Sequence, residues 1–198
     1  MTELGPQFPA VLTAATGGDV DAFARLWRAA HPPLVRYLRV VAGDAAEDVA
    51  SETWLKAIHA LGSFRGDESG FRGWLVTIAR NHLHDLRRRS ARRPESLTAD
   101  PALGHVMAEP DVAEVVLERL DTDRALRLVA TLPPAQAEMV ILRVVVGLDV
   151  ADVASIVGRK PGAVRVAVHR GLRRLAEQLG DAATVTPVVE QTLGRRDA

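Results

Sequence analysis

The chain has 198 residues, of which 47% are apolar and 25% charged, with 25 basic and 25 acidic residues and no cysteine. This is the composition of a folded chain of one or two small domains, and the absence of cysteine excludes disulfides, thiolate metal sites and a thiol nucleophile. No apolar run reaches the roughly 20 residues of a membrane-spanning helix, and the N-terminus does not resemble a signal peptide, so we expect a cytoplasmic protein without membrane insertion.

The zero net charge hides blocks of opposite sign. Residues 19–93 have a net charge of +4, residues 94–123 of −7 and residues 124–179 of +5. Blocks of one sign are typical of interaction surfaces and solvated linkers. We therefore predict two basic modules that meet a polyanion, joined by a flexible acidic linker at 94–123, with an N-terminal extension at 1–18 and a C-terminal tail at 180–198.

The first module is predicted to contain four helices, because apolar residues recur at spacings of three and four and almost never alternate. The first helix begins after Asp19 and ends at the break His31-Pro32-Pro33, since proline lacks a backbone donor. The second ends at Gly43. The third has an apolar face that includes Ile58 and an acidic opposite face. The fourth runs into an arginine cluster before Pro94.

The second module ends in the parts of a helix-turn-helix. Asp149 is predicted to cap a short helix, the segment Gly158-Arg159-Lys160 to turn the chain, and Pro161 to open a final helix. The predicted inner stripe of that helix is Val164, Val168, Leu172, Leu175 and Leu179. Its other side is basic, which favours contact with DNA in a major groove, although a solvated helix face is the alternative.

A loop of the first module, residues 64–74, alternates aromatic residues with arginines. Unpaired bases stack on aromatic or guanidinium planes beside a basic track, so this loop and the arginines at 87–93 suit single-stranded nucleic acid. The alternative is that the aromatic rings belong to the core. Phe71 and Trp74 fall on the helix stripe and are expected inside, which leaves Phe64 as the exposed ring.

Two sets of motifs resemble the extracytoplasmic-function (ECF) sigma factors of bacterial RNA polymerase. The first set is Ala46-Glu47-Asp48-Val49-Ala50, Phe64-Arg65-Gly66 and Phe71-Arg72-Gly73-Trp74-Leu75; the second is Leu132-Pro133-Pro134, Gly147-Leu148-Asp149 and Gly162-Ala163-Val164-Arg165. The resemblance implies an all-α fold of two small helical domains, 19–93 and 124–179, joined by a flexible linker. The second domain is then a helix-turn-helix of the winged-helix-like or sigma type without strands.

The resemblance also implies the function. The first domain of such factors binds core polymerase and melts the −10 promoter element, the second reads the −35 element, and an anti-sigma factor commonly holds the protein inactive. The implied partners are the β′ clamp helices and β flap of core polymerase, promoter DNA that is single-stranded at −10 and double-stranded at −35, and an anti-sigma factor.

The family positions map onto three groups of residues. Polymerase binding falls on Asp48, Ser51, Glu52 and Lys56, with Ser51 where the family usually has glutamine. Contact with the −10 strand falls on Phe64, Arg65, Arg72, Arg80, Asn81, His84, Arg87 and Arg88. Contact with the −35 duplex falls on Arg159, Lys160, Ala163, Arg165, His169, Arg170 and Arg173. Val166-Ala167 replaces a common Ser-Arg pair, which removes one polar and one cationic contact.

Two other functions stay open on the residues alone. A stand-alone helix-turn-helix regulator needs a dimer interface and a palindromic operator. An enzyme that processes nucleic acid needs a metal or nucleophile constellation, and none is evident. His82 and His84 point about 200° apart on a helix and do not share a metal. We therefore expect no catalytic residue, no metal and no cofactor.

Overall fold

The computed structural model describes residues 3–92 and 122–193, with side chains over 3–89 and 122–179. Every regular element in these ranges is helical, which confirms the all-α prediction. The helices are α1 (Phe8–Thr16), α2 (Val20–Ala42), α3 (Ala46–Ala60), α4 (Glu68–Arg92), α5 (122–130), α6 (Pro134–Val144), α7 (Val150–Val157) and α8 (Pro161–Leu193). The predicted linker, 94–123, lies almost wholly outside the described residues. Within them, no helix combines the length and the apolarity needed to cross a membrane.

The N-terminal extension is part of the first module. After a 3₁₀ turn at Gly5–Gln7, α1 buries Phe8, Val11 and Ala15 as it packs along α2. The carboxylate of Glu68, at the start of α4, accepts hydrogen bonds from the backbone N–H groups of Leu4 (3.0 Å) and Gly5 (2.8 Å). The segment is therefore fixed at one end by apolar burial and at the other by a charged acceptor.

The predicted break at 31–33 is wrong, because α2 continues through both prolines. An internal proline costs about 3 kcal/mol through the lost hydrogen bond and the ring clash. However, Leu26, Ala30, Leu34 and Leu38 form one stripe, and each is at most 4% exposed. Full burial of one leucine contributes about 1.5–3 kcal/mol, so the uninterrupted stripe outweighs the local penalty.

Aromatic rings fill the centre of the first module. The Phe71 ring on α4 lies 5.8 Å from Phe8, 6.4 Å from Trp54 and 5.5 Å from Trp74, measured between centroids. These distances are in the range of favourable tilted and edge contacts. The rings come from α1, α3 and α4, so this one cluster holds the elements that position the basic loop and the acidic face of α3.

The helix-turn-helix is confirmed by its local hydrogen bonds. Asp149 accepts from the N–H of Asp152 at 2.8 Å and so caps α7, and Gly158 ends the helix with φ of 66°, in the left-handed region that glycine tolerates. Pro161 is the first residue of α8. The three-residue turn and the helix ends on either side of it are thus set by residues within thirteen positions.

The packed face of α8 differs from the predicted stripe. Val164 is fully buried, and Gly171, seven residues on, is also buried against α6. Leu172 and Leu179 are 43% and 49% exposed, so their assignment to the core is wrong. Val164 and Gly171 define a line of contact that repeats every seven residues. Leu172 and Leu179 each lie one residue, or about 100°, past this line. The backbone of α8 runs on to Leu193, into the predicted C-terminal tail.

The two modules share one buried core. Helix α6 packs on α2, and α7 packs on α4. Leu148, directly before α7, is fully buried and faces Gly73 of α4. The sequence suggested a tethered pair of independent modules, which would make no such contact between Leu148 and Gly73. The described residues therefore form a closed arrangement of both modules.

We predict that the protein loses stability as the pH falls below about 6.5. Burial lowers the pKa of His31, against a smaller opposing effect of Glu47. Nδ1 of His31 accepts a hydrogen bond from Nε1–H of Trp54 at 3.2 Å, which requires the neutral ring. The unfolded chain therefore binds more protons than the folded one in this range, and stability rises with pH. Urea denaturation from pH 5 to pH 8 measures the slope.

The matched variant for this experiment is His31→Gln, which keeps an acceptor for Trp54 but does not titrate. Its slope of stability against pH should be shallower than that of the parent chain. It should not vanish, because burial and Lys56 also lower the pKa of His82. An unchanged slope would assign the pH dependence to other groups.

Candidate nucleic-acid interface

Helix α3 has one buried and one exposed side. Val49, Ala50, Thr53, Trp54 and Ala57 are buried. The predicted polymerase-binding residues all lie on the exposed side: Asp48, Ser51, Glu52 and Lys56. The hydroxyl of Ser51 donates to the backbone carbonyl of Glu47 at 3.0 Å, and Lys56 Nζ lies 2.9 Å from Nδ1 of His82. The acidic groups thus face solvent, while Lys56 is held against α4.

Two large apolar side chains belong to the same exposed surface. Leu55 is 53% exposed and Ile58 is 48% exposed. The assignment of Ile58 to the apolar face of α3 is therefore wrong. Ile58 lies about 40° around the helix from Trp54, just outside the arc of α3 that is buried. We define the α3 surface as Asp48, Ser51, Glu52, Leu55, Lys56 and Ile58.

The expectation that Phe64 is the exposed ring of the basic loop is wrong. Phe64 is 8% exposed, and its ring lies 5.3 Å from that of Phe71 and 5.2 Å from that of Trp74. The backbone at Gly66, with φ of 152°, passes close over the ring, where a Cβ would meet Phe64 Cζ at 3.1 Å. In this conformation Phe64 supports the loop from inside and has no free face for a base.

Arg65 and Arg72 differ in accessibility. Arg65 is exposed, and its guanidinium donates to the carbonyls of Gly62 (2.8 Å) and Phe64 (2.7 Å). The Arg72 side chain is only 10% exposed, lies 3.5 Å from the Glu68 carboxylate, and has a buried Nε without a hydrogen-bond partner. The N-terminal segment that Glu68 anchors therefore covers Arg72.

The second half of α4 presents a cationic face. Asn81, His84, Arg87 and Arg88 are exposed and lie, with Arg80, within an arc of about 120° around the helix. Arg87 donates to the carbonyl of Val41 at 2.9 Å. Arg80 differs from the rest, because its Nε is paired at 3.0 Å with Glu138 of α6. We define the α4 face as Arg80, Asn81, His84, Arg87 and Arg88.

Helix α8 carries the second cationic surface. The predicted −35 residues are all exposed and lie in the turn or on the half of α8 that faces away from α6: Arg159, Lys160, Ala163, Arg165, His169, Arg170 and Arg173. Val166, 50% exposed, lies in the middle of this half. An apolar group at this place suits contact with a thymine methyl in a major groove.

Helix α6 fixes the position of α8. Gln136 donates through Nε2 to the carbonyl of Ala167 at 2.9 Å and accepts through Oε1 from Arg174 at 2.8 Å. A Cβ on Gly171 would lie 2.6 Å from Val140 Cγ2. The glycine therefore permits a close approach, and the exposed half of α8 is held at a fixed angle to the module.

The described part of the chain contains no group of three or more histidine, aspartate or glutamate side chains placed to hold a metal ion. The geometry instead offers an acidic and apolar surface on α3 and two cationic surfaces on α4 and α8. Cationic helix faces contact phosphates and base edges without further chemistry.

Family comparisons agree with this organisation. Residues 26–93 match the model of Sigma-70 region 2, and residues 122–175 match that of Sigma-70 region 4. SigD of Mycobacterium tuberculosis, an ECF RNA polymerase sigma factor, is 35% identical over 185 residues, which cover 90% of this chain and 87% of SigD. The chain belongs to the ECF sigma factors.

Other relatives agree in sequence or fold. BldN of Streptomyces coelicolor, also an ECF sigma factor, is 38% identical over 171 residues, covering 85% of this chain and 64% of BldN. The solved structure of CnrH in complex with the cytosolic domain of CnrY has a TM-score of 0.57 at 22% identity, covering 88% of this chain and 97% of the other. The solved structure of RpoE in complex with the anti-sigma factor NepR, from Bartonella quintana, has a TM-score of 0.56 at 23% identity. The match covers 81% of this chain and 98% of RpoE. The structures share the helical fold.

We predict that Gly171→Ala is less stable than Gly162→Ala by about 1–3 kcal/mol, the usual cost of overpacking a core. Both changes replace glycine by alanine in α8, so the gain in helix propensity partly cancels. A Cβ at Gly171 meets the stiff Val140 side chain. A Cβ at Gly162 has no neighbouring atom within 4 Å. Urea denaturation of both variants gives the difference, and equal stabilities would contradict this close approach.

Proposed function

We propose that this sigma factor recruits core RNA polymerase through the α3 surface and engages promoter DNA through the α4 face at the −10 element and through α8 at the −35 element. The observation that supports the proposal best is the separation of charge on one chain: an acidic surface on α3 and cationic surfaces on α4 and α8. A polyanion favours the cationic surfaces, and the acidic one needs a protein partner.

The α3 surface suits a protein partner for a second reason. Leu55 and Ile58 add exposed apolar area beside Asp48 and Glu52. Protein interfaces combine an apolar centre with a polar rim, and charged groups at the rim set the orientation and the association rate. We assign this surface to the β′ clamp helices of the polymerase.

For the −10 element, we assign strand contacts to Arg65 and to the α4 face. Guanidinium groups hold phosphates and stack on unpaired bases, and Asn81 offers both a donor and an acceptor to a base edge. Phe64 and Arg72 act indirectly in this proposal, by supporting the loop and by joining it to the N-terminal segment. Because bases are accessible only in opened DNA, we expect this contact to follow polymerase binding.

For the −35 element, we assign duplex contacts to the exposed half of α8, with a contribution from the β flap of the polymerase in positioning the module. Arg165 and Arg170 can reach phosphates or guanine edges, and Val166 can meet a thymine methyl. RpoE, which shares this helical fold, was solved in complex with the anti-sigma factor NepR, and this supports, for this chain, an inhibitory partner that covers the same surfaces. Since polymerase and chromosome lie in the cytoplasm, the chain acts there.

A stand-alone regulator makes a different demand. Such a protein binds a palindromic operator as a dimer without polymerase. A gel-shift series with promoter-library DNA separates the two functions: a sigma factor shifts specific DNA only with core polymerase, whereas a regulator shifts it alone. Specific DNA binding by the chain alone would overturn the proposal.

We further infer that the chain is not an enzyme.

We predict that Glu52→Lys lowers the affinity for core polymerase by on the order of tenfold, since an interface complementary to a carboxylate rejects a like charge. Folding should be unchanged, because Glu52 is exposed. Co-purification with core polymerase measures the association, and circular dichroism checks the fold. The control is Glu177→Lys, the same charge change on the exposed side of α8. Equal loss in both variants would point to net charge instead of the α3 surface.

We predict that Arg170→Ala weakens −35-dependent transcription and reduces the salt dependence of promoter binding by about one counterion, the result for one lost phosphate contact. Its matched control is Arg174→Ala, because Arg174 is hydrogen-bonded to Gln136 within the module. The readout is open-complex formation by the reconstituted holoenzyme at several salt concentrations. If Arg174→Ala has the larger effect, the phosphate contact belongs to Arg174 and the assignment of Arg170 is wrong.

A further inference from the structure

The structure assigns to Glu138 the role of an internal competitor for DNA: it closes the free chain by occupying Arg80 of the α4 face, so that the second module blocks part of the −10 surface of the first. This inference rests on the proposed function in one respect, the assignment of Arg80 to promoter DNA. The closure itself rests on contacts between the modules.

Glu138 makes two contacts to the other module. Its Oε1 accepts from Nε of Arg80 at 3.0 Å and from the hydroxyl of Tyr37 at 3.1 Å, across 58 and 101 positions of sequence. The Glu138 side chain is 19% exposed, whereas that of Arg80 is 41% exposed. A second ion pair, Arg39 with Asp123 at 3.0 Å, lies at the start of the second module. It is about half exposed and therefore contributes little.

Tyr37 makes the carboxylate more than a surface partner. Tyr37 is fully buried, and burial, with a smaller effect of Glu138, raises its pKa, so its hydroxyl stays protonated. A buried hydroxyl that loses its acceptor destabilises the structure unless another acceptor replaces it. When the modules separate, the Tyr37 hydroxyl loses Glu138 as its acceptor, and water must replace it.

Apolar contacts extend the same interface. Leu148 and Ile156 of the second module face Gly73, where a Cβ would meet Leu148 Cδ2 at 3.6 Å and Ile156 Cδ1 at 3.8 Å. Leu148 is fully buried in the closed arrangement. Opening removes these contacts and exposes apolar surface to water, which favours the closed arrangement.

One group of charges opposes closure. Burial, followed by the charges of Asp149 and Asp67, raises the pKa of Asp152. Asp67 belongs to the basic loop of the first module, so like charges face each other across the interface. The closed form is therefore weakened at neutral pH, which suits an interaction that DNA and polymerase must reverse.

Closure is incompatible with engagement of both promoter elements. The −10 and −35 positions are about 25 base pairs apart, or about 85 Å along B-DNA at 3.4 Å per base pair. In the closed chain, α7 packs directly on α4. In addition, a guanidinium binds a carboxylate and a phosphate in the same way, so Glu138 and a DNA phosphate compete for Arg80.

The absence of native cysteine allows a direct test with the full-length chain. Spin labels on Thr13→Cys and Ser155→Cys, two exposed positions in different modules, report the distance between modules by pulsed electron paramagnetic resonance. We expect one short, narrow distance in the parent chain. Glu138→Gln should raise the ratio of open to closed molecules about tenfold, consistent with loss of a charge-assisted hydrogen bond.

The matched control is Glu177→Gln, which removes the same charge from an exposed position of the same module. It should leave the distance distribution unchanged. The closure is overturned if the parent chain already gives broad, long distances or if Glu138→Gln behaves like Glu177→Gln. A glutamine at position 138 could still accept hydrogen bonds from Tyr37 and Arg80. Glu138→Lys cannot, because lysine repels Arg80, and this variant should open the chain further.

Competition with DNA is tested separately, with a fluorescein-labelled single-stranded 20-mer of mixed sequence. Glu177→Gln also frees one arginine, Arg173, but leaves the closure intact. Glu138→Gln should therefore bind this probe several-fold more tightly than Glu177→Gln does at low salt. If the distances change but binding does not, the modules close without masking a DNA-binding group, and the competitor role is wrong. Recruitment of core polymerase is not needed in either measurement, so failure here is distinct from failure of the proposed function.

Discussion

The burial that joins the two modules is the constraint on which the rest of the arrangement depends. Leu148 is fully buried beside Gly73, and Tyr37, also fully buried, donates its hydroxyl to Glu138. Each of these contacts joins one module to the other. The position of α7 against α4 and the occupancy of Arg80 go with these contacts, whereas α8 is held within its own module by α6.

The distribution of exposed groups explains how one small chain serves several partners. The α3 surface and the exposed half of α8 remain open to solvent in the closed chain, whereas Arg80 of the α4 face is occupied. In the proposed function, a partner that docks on α3 binds first, and DNA contact at α4 follows when the second module leaves. Closure would then set the order of the binding events.

Local signals made part of this structure predictable from the sequence. Asp149, Gly158 and Pro161 define the helix-turn-helix within thirteen positions, and each acts through its own backbone. The exposure of Asp48 and Glu52 follows from the helical period of α3. The Pro32-Pro33 break was predicted wrongly, because apolar burial along the whole of α2 outweighs the local cost of proline.

Features set by distant parts of the chain were not predictable in this way. Phe64 lies in a loop without periodicity, and its burial depends on rings of α4. Arg72 is covered by the N-terminal segment. Glu68 anchors this segment through Leu4 and Gly5, which lie more than sixty positions away in the sequence. The pairing of Glu138 with Arg80 joins the two modules, and no local pattern in either module indicates it.

Small-angle X-ray scattering of the free chain tests the central claim, that both modules share one core before any partner binds. A compact chain of 198 residues has a radius of gyration of about 16 Å, and we predict a value close to this with a single maximum in the pair-distance distribution. A much larger radius with two maxima, the signature of two bodies on a tether, would contradict the account.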